Sequence, residues 1–241
     1  LGAHNWQAMS VDEEAGVVYI PAQDNPLIYG LSDEWKQSGI YKRNPNGWNT
    51  GLEFGRITQL VVDNIADQPT PKGYLKAFDP LTGKDKWVVE IPHYWNGGVL
   101  SSAGGLVFQG DALGMLTAYD KDNGEALWQF NTYTSMLAPP ITYEIDGTQY
   151  VSILTGTGGG DLFGGEPLPP VSEHASLTYN NYGRLLVFKV GGTEELPVPT
   201  VRDRTIPVQT NLTASNDQIA AGERHYNNYC AVCHGLAVRS G

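Results

Sequence analysis

The feature that most constrains this chain is an eleven-residue pattern that occurs twice. Ala77-Phe78-Asp79 is followed by Gly83 and then Trp87; Ala118-Tyr119-Asp120 is followed by Gly124 and then Trp128. The copies start 41 residues apart, a period that fits one four-stranded propeller blade. Each fixed position has a physical reason. An Asp side chain accepts hydrogen bonds from the backbone N–H groups of a following turn. The Gly takes the positive φ that a tight hairpin needs. The Trp falls on the returning strand, where it can wedge between blades and remove about 150–250 Å² from water. Small Ala77 and Ala118 are expected to let a neighbouring sheet approach closely.

Composition agrees with many short strands joined by tight turns: 29 Gly, 15 Pro, 13 Tyr and 6 Trp in 241 residues,. A formal net charge of -11 argues against nucleic acid or an anionic membrane as partner. No stretch is apolar enough for a transmembrane helix. The chain opens on Leu1-Gly2-Ala3-His4 without a signal-peptide pattern,. Met9 is the first Met, and the expectation is a chain that starts partway through a larger protein.

Along the chain, Met9 to Asp12 and Gly16 to Pro21 read as strands around a turn,. Residues 24–72 lose that pattern and read as a long excursion on one rim, with a disordered middle part as an equal alternative. Strands resume at Tyr74, and further ones are expected at Val99 to Ser102, Gly105 to Gln109 and Arg184 to Val190. Asp146-Gly147 between two apolar runs is a hairpin signal,. The predicted fold is all-β: a partial β-propeller of about three four-stranded blades, near 1–92, 93–130 and 133–191. Three blades cannot close a ring, and long edges would remain unpaired. The domain reading is therefore 1–192 propeller, 193–214 a Pro-containing linker, and 215–241 a separate helical start. Ser215 and Gln218 form a capping-box signature that opens a helix from about Asn216 to Tyr229.

That helix leads to the chain's only two cysteines, in Cys230-Ala231-Val232-Cys233-His234. Two thiols at this spacing can add to the vinyl groups of haem, with the adjacent His on the iron. A redox dithiol, half a zinc site or a disulfide share the spacing, but no βαβ unit or second Cys pair accompanies it here. Gly222, Tyr226 and Cys230 recur at steps of four, on one helical face,. This resembles the first helix of class I cytochromes c. Met9, Met115 and Met136 read as packing residues, so a second axial ligand is expected outside the chain.

Propeller repeat, linker and haem motif, in that order, resemble the soluble quinohaemoprotein alcohol dehydrogenases. The resemblance is strongest at Gly2-Ala3-His4-Asn5-Trp6, at Gly16 to Gln23, and from Asn96-Gly97-Gly98 to Gly110. It implies an eight-bladed propeller that binds pyrroloquinoline quinone (PQQ) and calcium, followed by a cytochrome c domain, and so makes this chain the C-terminal part of such a protein. Carried over by position, it implies PQQ contacts at Asn5 and Trp6 and at Gly159 and Gly160. It also implies thioether anchors at Cys230 and Cys233 and iron ligation by His234. Taken alone, Asn5-Trp6 also suits a turn residue followed by a core Trp, and the glycine run also suits a plain inter-strand turn. Two departures stand out: Thr157 where the family usually has Trp, and Gln7-Ala8 where it commonly has His-Pro. No catalytic residue is assigned within this chain, because the family's catalytic Asp and calcium ligands lie in earlier blades.

The implied function is oxidation of small alcohols to aldehydes in the periplasm. Electrons would pass through haem c to an external acceptor such as a cupredoxin, a cytochrome or a quinone. The 241 residues alone are expected to be inactive. The alternative is a non-catalytic propeller that serves as a binding or assembly scaffold. His93, His174 and His225 have no partner at a catalytic spacing and read as surface or packing residues.

Overall fold

Three antiparallel sheets account for the strands of the computed structural model. It describes residues 3–25, 30–43, 49, 51–52, 69–157, 174–203, 205, 213–226 and 230. Two compact units divide the chain, Leu1–Asn25 with Thr70–Asp203, and Pro26–Pro69 with Arg204–Gly241. All three sheets belong to the first unit.

The first blade has the order β1 (Ser10–Asp12), β2 (Val17–Asp24), β3 (Lys72–Asp79), β4 (Lys84–Ile91). The second repeats it with β5 (Val99–Ser101), β6 (Leu106–Gly110), β7 (Met115–Asp120) and β8 (Ala126–Asn131). The third sheet has β9 (Ile141–Ile145), β10 (Thr148–Thr155) and β11 (Arg184–Lys189), in the order β11-β10-β9. Sequence reading expected four strands in the third blade as well; three are present among the described residues.

The repeated turns form as their chemistry dictates. Asp79 Oδ1 accepts from the N–H groups of Leu81 and Thr82, and Asp120 Oδ1 from those of Asp122 and Asn123. Gly83 and Gly124 take φ of 69° and 77°. Asp146 and Gly147, both at positive φ, close the β9–β10 hairpin,.

The motif's Ala has a role that sequence reading did not foresee. Tyr19 lies opposite Ala77, and Ala77 opposite Trp87. A small residue in the middle of this cross-strand row lets the two rings meet over it, with centroids 5.8 Å apart,. The second blade repeats the row as Phe108, Ala118 and Trp128. In both blades a register shift follows the Ala, and the extra twist suits the turn into the outer strand.

The blades pack face to face through two apolar clusters. Tyr19, Leu75, Ala77 and Ile91 of the first blade meet Val99, Val107 and Tyr119 of the second. Leu116 and Met136 meet Ile153 of the third sheet, with Leu186 and Phe188 against them. The first strands of the first two blades touch directly, Ser10 Oγ lying 2.6 Å from Ser101 Oγ. Farther out the seam is filled by Trp87, whose ring packs against Gly124. Blades in contact at one edge and wedged apart at the other form the fan that a propeller requires.

Among the described residues the second unit contributes two helices. In α1 (Asp33–Ser38), Ser32 caps Trp35 N–H and Gly39 closes the C-terminus at φ 66°. It lies within the 24–72 stretch, most of which falls outside the described residues. The third helix among the described residues, α3 (Asn216–His225), has the expected capping box between Ser215 and Gln218. A short α2 (Ala175–Thr178) belongs to the first unit.

Candidate functional site

Because every sheet is antiparallel, the connections sort onto two rims. The turns from odd to even strands share one rim, and each is short: residues 13–16, 80–83, 102–105, 121–125 and 146–147. The even-to-odd connections leave from the other rim, and their described parts in the first unit are residues 25, 70–71, 92–98, 111–114, 132–140, 156–157 and 174–183. Residues 3–9, which lead into β1, belong to this second rim. Long connections on a rigid scaffold are where binding groups concentrate.

Hydrogen bonds stitch this rim across sheet boundaries. Gly97 N–H donates to Gly110 O at 2.9 Å, Val99 N–H to Ala8 O at 2.9 Å, and Gly156 N–H to Ser135 O at 2.7 Å. The Gln109 amide donates to Gly97 O at 3.0 Å. Ser135 Oγ donates to Ala112 O at 2.6 Å. Glycine is required where strands cross most closely: a Cβ on Gly97 would lie 2.8 Å from Gly110 O and 2.9 Å from Met136 O.

Asn5 and Trp6 are exposed on this rim. The indole of Trp6 is 53% exposed, so it is not the core Trp that its sequence alone would also have suited. It stands edge-on to fully buried Trp95, with centroids 5.9 Å apart and planes at 74°. Asn5 Oδ1 accepts the Trp6 N–H at 2.9 Å, which leaves the amide NH₂ of Asn5 as a donor beside the ring. The result is a half-exposed aromatic face with an amide donor on the preceding residue.

Behind this shelf lies a buried histidine that sequence reading treated only as surface or packing. His93 Nδ1 accepts the Trp95 N–H at 3.0 Å. Its ring stacks on Tyr94 at 4.5 Å and meets the edge of His174 at 4.4 Å. The two imidazoles are far apart in sequence, so no local spacing could have paired them. Burial, with His174 alongside, pushes the His93 pKa down to about 3, so the ring is neutral at working pH. Asn96, also buried, donates from its amide to His93 O and accepts the Ala112 N–H at 3.4 Å.

The other sequence-predicted residues are reached only in part. Gly159 and Gly160 lie outside the described residues. Their neighbour Thr157, which stands in place of the family's Trp, is buried and donates its N–H to Asn181 Oδ1 at 2.9 Å. Cys230 is exposed and free, whereas Cys233 and His234 lie outside the described residues. His225 is exposed. Among the described residues no three His, Cys, Asp or Glu side chains gather as a metal site, and no helix is long and apolar enough to cross a membrane.

Comparison with known proteins agrees with the geometry. The model of the PQQ-type glucose/ethanol/alcohol dehydrogenase β-propeller domain matches residues 89–151. These run from the end of the first blade to the third sheet, through the whole of the second blade and much of the rim. Strands and repeat define a segment of a β-propeller, and the matched stretch is similar to the PQQ type.

Over its whole length the chain resembles the quinohaemoprotein alcohol dehydrogenases, in sequence and in fold. It is 40% identical to quinohemoprotein alcohol dehydrogenase ADH IIB of Pseudomonas putida, the match covering 100% of this chain and 33% of that protein. It is 36% identical to the quinohemoprotein alcohol dehydrogenase of Comamonas testosteroni, over 98% of this chain and 31% of that one. The solved structure of ADHIIG from Pseudomonas putida superposes with a TM-score of 0.77 at 34% identity, covering 100% of this chain and 34% of its own. The chain thus spans about a third of the length of the curated relatives it matches.

Proposed function

We propose that this chain forms part of a PQQ-dependent alcohol dehydrogenase, and that its long-connection rim supplies one wall of the quinone site. The observation that carries this reading is the Trp6 shelf: a half-exposed indole held by a buried one, with the Asn5 amide on the preceding residue, on a propeller similar to the PQQ type. PQQ is planar and rich in carbonyl and carboxylate oxygens, so an aromatic face with an adjacent N–H donor fits it. When bound, the quinone supplies the two-electron redox chemistry. The chain's own residues hold and orient it: Trp6 offers its face, Asn5 offers a donor to an oxygen, and Trp95 fixes the angle of Trp6. Gly159 and Gly160 are proposed to bring backbone N–H groups to the quinone as well.

The apolar outer face of the third sheet supports the reading of a partial ring. Ile141, Tyr143, Ile145, Leu154, Leu185 and Val187 share that face by register and are exposed. A further blade would cover it. The general base and the calcium ligands are placed in those other blades. Cys230 and Cys233 are proposed to anchor haem c, with His234 on the iron, and electrons would leave through it to an external acceptor. Thioether attachment and PQQ use together favour the periplasm as location.

The test uses the whole protein loaded with PQQ and calcium. Alcohol-dependent reduction of an artificial electron acceptor is expected, together with a peroxidase-stained band after denaturing electrophoresis that Cys230→Ala with Cys233→Ala removes. A protein that binds no quinone and carries no attached porphyrin would overturn the reading and favour a binding scaffold.

A further inference from the structure

The shelf under Trp6 depends on a short stretch, Pro92 to Asn96, that leaves β4 and turns sharply into the rim. The buried Trp95 ring must lie at one angle to meet Trp6 edge-on. The backbone of this stretch is secured at two points. Asn96 Nδ2 donates to His93 O, and His93 Nδ1 accepts the Trp95 N–H. The second bond joins residues two apart through a side-chain acceptor, the geometry that Asn or Asp gives an Asx turn. Here an imidazole takes that part. It is itself clamped between the Tyr94 ring and the edge of His174, which comes from the connection that also carries Gly159 and Gly160. Gly73 presses on the same turn from β3: a Cβ there would run into His93 O.

We propose that His93 is a positioning residue for the rim: by accepting the Trp95 N–H it sets the Trp95 ring, and through that ring the angle of Trp6. A buried, neutral imidazole suits the task. Its Nδ1 lone pair stays available over the whole working pH range, and its ring cannot swing out to solvent. That the set angle serves a quinone rests on the function proposed above; that His93 sets it does not.

The experiment uses the whole protein with three variants. His93→Phe keeps the ring volume and the stack on Tyr94 but removes the acceptor. His93→Leu also removes the acceptor, without a ring, in case the Phe variant does not fold. His93→Asn restores an acceptor at the same branch. Two quantities are measured. One is the exciton couplet of the Trp6–Trp95 pair in circular dichroism without cofactor, identified as the signal lost in Trp6→Phe. The other is the dissociation constant for PQQ. The acceptor-free variant is expected to lose most of the couplet and to bind PQQ at least tenfold more weakly. His93→Asn is expected to keep both within about twofold. A folded acceptor-free variant that keeps the couplet overturns the proposal, and so does an Asn variant as impaired as the Phe variant. If the unmutated protein binds no PQQ, the quinone reading falls, while the couplet still decides the role of His93.

Discussion

The indole N–H of Trp87, on the outer strand of the first blade, donates to the carbonyl of Lys121, in a turn of the second, at 2.9 Å. The same carbonyl accepts from Tyr19 Oη at 3.2 Å. One backbone oxygen thus receives both aromatic residues of the Tyr19–Ala77–Trp87 row and latches the two blades together.

Trp87→Phe is therefore expected to cost only about 1 kcal/mol, because Tyr19 keeps the Lys121 carbonyl satisfied. Trp87→Ala empties the seam and is expected to cost about 3–5 kcal/mol. Urea unfolding midpoints of the two variants check the difference.

The two repeat glycines are equivalent in sequence but not in space. A Cβ on Gly83 would meet nothing within 4 Å, whereas one on Gly124 would lie 2.8 Å from Trp87 Cε3 and 3.0 Å from Val89 Cγ2. Both are at positive φ, so Gly83→Ala costs the backbone strain alone, about 1–2 kcal/mol. Gly124→Ala adds overpacking of about 1–3 kcal/mol. Thermal melts of the pair should separate accordingly.

His93 predicts a specific acid weakness. Its folded pKa is about 3 against a usual 6.5, so below pH 6.5 the unfolded chain takes up the proton first. Stability from this group is complete above that pH and is lost as pH falls toward 3. By pH 5 the loss is about 2 kcal/mol. Asp111 runs the other way, since burial pushes its pKa up to about 6 and acidification relieves that cost. The clean measurement is the difference between the unmutated protein and His93→Phe. The pH slope of unfolding free energy between 6.5 and 4 should be shallower in the variant.

Trp6→Ala should separate binding from folding. The ring is half exposed, and its loss removes one edge contact with Trp95, about 0.5–1.5 kcal/mol. The melting temperature is expected to fall by only a few degrees, while affinity of the whole protein for PQQ drops tenfold or more. Equilibrium dialysis against PQQ with a parallel melt checks both. An unchanged affinity would remove Trp6 from the site.

Much of this was legible because it is local. Asp79 to Gly83 and Asp120 to Gly124 encode their turns within five residues, and Ser215 and Gln218 encode a helix start within four. Each such signal is a hydrogen bond or a φ value that depends on nearest neighbours alone. The blade period follows from the same turns repeated. Resemblance singles out Asn5 and Trp6 in the sequence, and only the structure shows that both are exposed. That the motif's Ala also lets two rings meet over it was not legible, since only the strand register sets Tyr19, Ala77 and Trp87 in one row.

The sequence by itself determined the blade repeat, the turns and their glycines, and the capped helix before Cys230, because short-range backbone chemistry selects them whatever the rest of the chain does. Only the tertiary structure decided which aromatic supports Trp6, that His93 meets His174, and why Gly124 matters more than Gly83. Those contacts join residues brought together by packing across blades, and burial, not spacing, assigns each its pKa, its exposure and its work.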